Sequence, residues 1–195
     1  CGGAFRRAFA CASFSTVDRP RSLPLLIEGD PPEFLVHDQE EDCPYLPGQR
    51  SRFPFRFPMR PLRRDELALR LAEGDRRNGP LLYRPSCAAC VACRPIRIDV
   101  EAFQFRERHR RSLRQNDARL EVEVGPTRAD AARVRLYNAH LLGRGLARGA
   151  PMDLDGYRQF LTESCCDTFE IRYRRDGALI GVAITDRASD SLSSV

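Results

Sequence analysis

Lysine is missing from this chain: all 32 basic residues among its 195 are arginine. A GC-rich genome drifts lysine codons to arginine, so the absence speaks first of codon usage. It does not decide where the positive charge sits. Also missing is any apolar run near the roughly 20 residues that a membrane span requires, and the expected class is a soluble, intracellular protein. There is no GxxxxGK[S/T] phosphate loop, no GxGxxG, no GxSxG elbow and no HExxH. Those absences disfavour an ATP-driven ligase. They leave room for chemistry that starts from an already activated acyl ester.

What is present is a globular composition, 42% hydrophobic and 30% charged, with a net charge of +5 that leaves room for a polyanionic partner. The length fits one ordinary domain or two small ones with a real core. The first residue is Cys rather than Met, and Val195 falls within what reads as a strand. Both ends therefore read as cut or misassigned. Residues 1–30 carry Arg, Ser and Phe without helical or strand period, which fits a disordered tail or an upstream translation artefact better than a transit-like peptide, and residues 1–36 are read as a disordered extension.

The eight cysteines are Cys1, Cys11, Cys43, Cys87, Cys90, Cys93, Cys165 and Cys166. A secreted disulfide scaffold would be shorter and denser in Cys. Cys87, Cys90 and Cys93 form Cys-x-x-Cys-x-x-Cys, a spacing that lets a tight turn bring three thiolates onto one ion. Cys43 is the candidate fourth ligand, and Zn or an iron–sulfur cluster would accept four thiolates. The alternative is a set of small, buried structural cysteines. The adjacent Cys165-Cys166 pair reads as incidental, with one of the two exposed.

Along the chain, the prolines in Cys43-Pro44-Tyr45-Leu46-Pro47-Gly48 and Phe53-Pro54-Phe55-Arg56-Phe57-Pro58 argue against helix, and the alternating Phe suggests an edge strand or an extended packing segment. Residues 62–73 read as a short helix, with Leu67 and Leu71 one turn apart and Gly74 as the stop. Arg76-Arg77-Asn78-Gly79 reads as a basic turn. Ile96, Ile98 and Val100 alternate with Arg97 and Asp99 as a strand would. Residues 105–115 form a basic helix closed near Asn116.

The last third predicts a strand through Leu120, Val122 and Val124, then a helix capped at Thr127/Asp130 and continued by Val134, Tyr137 and Leu141. A second helix carries Leu154, Tyr157, Phe160 and Leu161. Phe169, Ile171 and Tyr173 form the next strand, Asp176-Gly177 turns the hairpin, and Leu179–Ile184 returns. A final strand runs from Leu192 to Val195. This order is the opening half of an N-acetyltransferase-like fold.

The expected fold is therefore α+β: an N-acetyltransferase-like mixed sheet with flanking helices, truncated before its C-terminal half and preceded by a Cys-containing N-terminal region. The divisions are 1–36, 37–104 and 105–195. A sheet cut there would expose an unpaired edge, an aggregation risk.

The densest basic cluster is Arg106, Arg108, His109, Arg110, Arg111 and Arg114, offset by Glu107. On a helix, Arg106, Arg110 and Arg114 follow one another by a turn with Arg111 beside them, a ridge that matches a phosphate backbone. The alternative is a solvated face in an arginine-rich proteome.

Three segments carry a resemblance. Cys43-Pro44-Tyr45-Leu46-Pro47-Gly48, then Arg76-Arg77-Asn78-Gly79, then Leu82-Tyr83-Arg84-Pro85-Ser86-Cys87-Ala88-Ala89-Cys90-Val91-Ala92-Cys93 resemble the N-terminal region of the bacterial aspartate/glutamate leucyltransferases, relatives of the eukaryotic arginyl-tRNA–protein transferases. Arg114-Gln115-Asn116, Val182–Arg187 and Leu192–Val195 match in the same order, so the likeness covers about residues 43–195.

The resemblance implies transfer of Leu or Arg from aminoacyl-tRNA to the N-terminal amine of proteins beginning with Asp or Glu. It also implies an N-degron role in protein turnover, in the cytoplasm. Eukaryotic relatives hold an iron–sulfur cluster with two cysteine pairs; here Leu46 replaces the second cysteine of the first pair, which favours the bacterial branch. An activated ester needs no cofactor for transfer. The acceptor carboxylate needs a cation, and Arg76, Arg77 and Arg84 are the candidates beside the cysteine loop. No residue stands out as a general base.

Two rival readings remain at this stage: an acyl-CoA N-acetyltransferase, and a non-enzymatic zinc and RNA-binding module built from Cys87–Cys93 and the basic helix. Residues 1–195 alone are expected to be inactive.

Overall fold

A computed structural model describes residues 25–147 and 149–195. Strand β1 (Leu25–Ile27) pairs antiparallel with β2 (Glu33–His37). All of β1 and β2 up to Val36 lie inside the stretch 1–36 expected to be a disordered extension, which corrects that expectation for its last third: Leu25, Leu26 and Ile27 form a ladder with Phe34 and its neighbours. Residues 1–24 lie outside the described residues. A small hairpin follows, β3 (Glu40–Asp42) against β4 (Arg50–Arg52).

Residues 55–58, expected as an edge strand or an extended packing segment, form strand β5 (Phe55–Pro58), and it is not at an edge. The five-stranded sheet runs β1-β2-β5-β7-β6, so β5 is central. Pro54 precedes the strand and Pro58 is its last residue, so the N–H groups of the residues between remain available for the ladder. Phe55 stacks obliquely on Tyr83 at 5.2 Å between ring centroids, and Phe53 meets Tyr83 edge-on at 5.9 Å.

Helix α1 (Arg64–Ala72) starts where Glu66 accepts the Arg63 backbone N–H at 2.7 Å, satisfying a donor at the helix entrance. It ends at Gly74, whose φ of +94° is open to glycine and costly to other residues. The expected basic turn is then a strand: β6 (Arg76–Asn78) pairs with β7 (Leu81–Tyr83), and the turn proper is Gly79-Pro80.

Residues 84–106 contain no strand. Ile96, Ile98 and Val100 alternate as a strand should, yet they are 93%, 65% and 81% exposed. A strand forms only against a neighbour, and among the described residues no strand pairs with them. Helix α2 (Glu107–Asp117) follows as expected, and it buries none of its residues.

The C-terminal part is a four-stranded antiparallel sheet ordered β11-β10-β9-β8. Strand β8 (Glu121–Pro126) forms one edge. Helix α3 (Ala131–Gly143) is capped by Asp130, which accepts the Arg133 N–H at 2.9 Å. Helix α4 (Leu154–Tyr157) runs into a π-helical turn over Arg158–Thr162. Strands β9 (Thr168–Arg175) and β10 (Ala178–Arg187) form a hairpin whose turn residues Asp176 and Gly177 both have positive φ, the conformation that two-residue hairpins favour. Strand β11 (Leu192–Ser194) forms the other edge. Tyr157, Leu161 and Ile184 make this part's core, with Val134, Tyr137, Phe160 and Val182 against them.

The two parts share a second core of Leu62, Leu67, Leu82, Cys165 and Ala188. Cys165 is thus a core residue at the junction rather than incidental, and Cys166 beside it is half-buried. Backbone bonds cross the junction: Leu62 N–H to Cys165 C=O at 2.7 Å, Ser189 N–H to Arg64 C=O at 3.0 Å and Gly79 N–H to Phe160 C=O at 3.2 Å. A Cβ on Gly79 would stand 2.3 Å from the Gln159 carbonyl oxygen, so only glycine fits there.

Candidate functional site

Buried ion pairs frame the site. Glu33 meets Arg70 at 2.6 Å and Arg56 at 3.1 Å, and Arg56 continues to Asp75 at 2.7 Å. Glu33 and Asp75 are almost fully buried, and guanidinium groups lie against both, so neither carboxyl is left without a charged partner in the interior. This chain of charges locks β2, β5, α1 and the entrance to β6. Arg133 and Glu170 form a second buried pair, with an Nε–Oε2 bond of 2.9 Å, beneath the C-terminal sheet. Burial pushes the neighbouring Tyr157 hydroxyl up to about 12.

Two of the three arginines assigned to acceptor binding belong to this framework. The Arg77 Nε donates to Asp186 at 2.7 Å with both side chains 3% exposed, and Arg77 also reaches the carbonyls of Gly79 and Glu163. Asp186 is fixed in turn by the Thr168 hydroxyl at 2.6 Å. Arg84 pairs with Asp75 at 2.9 Å and Glu73 at 2.6 Å. Arg76 differs: among the described residues it makes no ion pair.

Arg76 faces the cysteine corner. Cys43 follows β3, and its loop closes through Cys43 N–H to Gln49 C=O at 2.8 Å. The Leu46 N–H donates to the Cys43 sulfur at 3.4 Å. The Cys87 segment is tied to β4 by Ser86 N–H to Arg52 C=O at 2.9 Å. Cys43, Cys87, Cys90 and Cys93 are all half-buried free thiols. Burial pushes the Cys93 thiol above its ordinary value, Arg76 pulls it back, and the other three thiols push it further. The corner therefore brings Cys43, Cys87 and Cys90 within electrostatic range of Cys93, but it does not prime Cys93 as a thiolate nucleophile.

The donor chemistry suits Zn or an iron–sulfur cluster. Among the described residues, however, no three Cys, His, Asp or Glu side chains are placed to share one ion. The thiols as arranged do not form a ready ligand set.

The basic cluster is where the sequence places it. Arg106 precedes α2, and Arg108, Arg110, Arg111 and Arg114 lie exposed along it. Arg114 pairs with Glu107 at 2.5 Å; Arg106, Arg108, Arg110 and Arg111 have no carboxylate partner among the described residues. His109 is half-buried at the helix start: its Nδ1 accepts the Arg106 backbone N–H at 3.1 Å, and the Arg108 Nε approaches its Nε2 at 3.1 Å. A neutral imidazole has one lone pair to offer, so one of the two contacts holds at a time. No described helix is long and apolar enough to cross a membrane.

Residues 41–111 match the model of the arginine-tRNA-protein transferase N terminus, and residues 132–195 match that family's C terminus. The chain is 36% identical over 167 residues to an aspartate/glutamate leucyltransferase from Halorhodospira halophila, covering 83% of this chain and 69% of the relative. It is 37% identical to that of Alkalilimnicola ehrlichii and 35% identical to that of Thiobacillus denitrificans, over 80% and 79% of this chain. This chain belongs to the arginine-tRNA-protein transferase family. It spans 66% and 64% of the latter two relatives. The family's two matched regions meet on one structure, with Arg77 from the first held by Asp186 from the second.

Sequence reasoning missed the partners rather than the cations. Arg77 and Asp186 are 109 positions apart, and Arg133 and Glu170 are 37 apart. No local period joins them. The only trace in the sequence is a carboxylate flanked by apolar residues within a strand, such as Glu170 between Phe169 and Ile171.

Proposed function

We propose that this chain acts in moving a leucyl or arginyl group from charged tRNA to the N-terminal amine of proteins that begin with Asp or Glu, marking them for degradation in the cytoplasm. The observation that supports this most is the ordered match of both family regions. The C-terminal sheet and its helices are read as part of an N-acetyltransferase-like catalytic domain, on the order strand, helix, helix, strand, strand, strand.

The ester at the tRNA 3′ end is activated, so amide formation runs downhill without ATP or a cofactor. An α-amino group of pKa about 8 is already partly neutral at physiological pH. The protein supplies orientation and charge. Arg76 is the cation left to hold the acceptor's carboxylate, where a planar guanidinium can donate two parallel hydrogen bonds. Arg77 and Arg84 hold the frame around it. The unpaired arginines of α2 face the RNA phosphates. The cysteine corner supports the loop beside Arg76, and no step passes through a metal there.

Protein carrying this sequence, given a peptide that starts with Glu, is to be offered labelled leucyl-tRNA, arginyl-tRNA and acetyl-CoA in parallel. Label arriving on the peptide from a charged tRNA supports the proposal. Label arriving only from acetyl-CoA assigns the acyl-CoA chemistry instead, and salt-dependent RNA binding without any product assigns a binding module.

A further inference from the structure

The cavity that stands apart from the acceptor corner lies at the start of α2. It is a shallow depression of about 440 Å³, widely open to solvent, with Asp99, Phe103, Gln104, Arg106, Arg108 and His109 along it. That volume lies within the range of small-ligand sites, about 300–1,000 Å³.

Three rings meet there. Phe103 and Phe105 pack edge to face at 5.2 Å, Phe103 lies at 31° to His109 at 5.4 Å, and Phe105 stands nearly perpendicular to His109 at 6.2 Å. Phe103 remains 40% exposed and Phe105 50% exposed. Phe103 and Phe105 belong to neither core cluster, so their fixed mutual geometry does not serve the packing of the interior. Asp99, the one acid of the wall, accepts the N–H groups of Glu101 and Ala102 at 3.0 and 3.2 Å, which holds the turn that presents Phe103. The rim carries Arg106 and Arg108, neither with a carboxylate partner among the described residues, and the α2 arginines continue from it.

We propose that this cavity is a stacking site for an unpaired nucleotide base of the bound RNA, with Phe103 as the stacking platform and Arg106 and Arg108 on the adjoining phosphates. The proposal rests on the reading that α2 binds RNA and adds which part of the RNA sits at its start. A base inside a duplex has both faces covered by its neighbours, so only a single-stranded end or a flipped nucleotide can lay a face on an exposed ring. Rings interleaved with unpaired arginines fit a base joined to a phosphate chain.

The test uses two RNA hairpins of the same stem, one blunt and one with a short single-stranded 3′ tail, titrated by fluorescence anisotropy against the full chain. Stacking on an aromatic side chain predicts a loss of about 5- to 100-fold for the tailed hairpin in Phe103→Leu. The blunt hairpin should be unaffected, and Phe103→Tyr should restore tailed binding. Arg110→Glu with Arg111→Glu should weaken both hairpins alike. If the arginine variants weaken both while Phe103→Leu leaves the tailed hairpin untouched, the stacking site is overturned and the RNA-binding face stands. If the arginine variants change neither, the RNA reading of α2 fails and takes the proposal with it. Displacement of the tailed hairpin by an acidic peptide, but not by single-stranded RNA, would assign the cavity to a protein partner and also overturn it.

Discussion

Between Glu33 and Arg84 the guanidinium groups meet carboxylates; between Arg94 and Arg119 they do not. In the first stretch Arg50, Arg52, Arg56, Arg60, Arg63, Arg64, Arg70, Arg77 and Arg84 are all in ion pairs, and Arg76 is the exception among the described residues. In the second, Arg94, Arg97, Arg106, Arg108, Arg110, Arg111 and Arg119 have no carboxylate, and only Arg114 is paired, with Glu107. The residue type is the same and the consequence is opposite. A buried guanidinium between carboxylates fixes neighbouring strands, because removing either partner leaves an uncompensated charge in the interior. An exposed one without a partner keeps its charge for a polyanion. Net charge could not have separated the two roles.

That contrast can be broken in several places. Asp186→Ala, which strands the Arg77 guanidinium in the junction, should cost about 3–5 kcal/mol of stability, read by thermal or urea unfolding. A loss below about 0.5 kcal/mol would mean that the pair does not hold the junction. Gly79→Ala should cost about 1–3 kcal/mol, through the φ of +55° and the clash with the Gln159 carbonyl. Arg76→Ala should leave the melting temperature unchanged and raise the KM for an acceptor beginning with Glu by tenfold or more, the size of a lost charge-assisted hydrogen bond of about 1.5–3 kcal/mol. A lowered melting temperature with unchanged KM would move Arg76 into the framework.

The last prediction concerns acid. Hydrogen bonding from Arg60 holds the Glu66 carboxyl well below its ordinary value, at about 2. A carboxyl whose pKa is lower when folded contributes stability above its unfolded value, near 4.3, and loses it as pH falls towards 2. Glu66→Gln should therefore melt earlier than the parent at neutral pH, and the two curves should converge near pH 2. A gap that persists at low pH would assign the effect to packing.

How much of this was legible depended on distance along the chain. Helix α1 with its Gly74 stop, α2, the Asp130 cap and the Asp176-Gly177 turn are written in residues that touch within a few positions, and the sequence reading places them correctly. The central position of β5 was hidden because Pro54 and Pro58 suggest an edge, and the two flanking partners are non-local: β2 precedes it by about twenty residues and β7 follows by a similar interval. Ile96, Ile98 and Val100 show the converse error, since alternation specifies a strand only where a neighbour is present. The sequence singled out cations and thiols as candidates but could not say which cations were already occupied. Only the fold shows that Arg77 and Arg84 are held and Arg76 is not.

The account depends most on α2 being an RNA-facing surface. It is tested most directly by measuring charged-tRNA affinity across a salt series for the parent and for Arg110→Glu with Arg111→Glu. Both side chains are exposed on a helix that buries nothing, so unfolding curves should coincide. The account predicts weaker binding in the variant and a log–log salt slope shallower by about one unit for each phosphate contact removed. Equal affinity and equal slope in a correctly folded variant would contradict it.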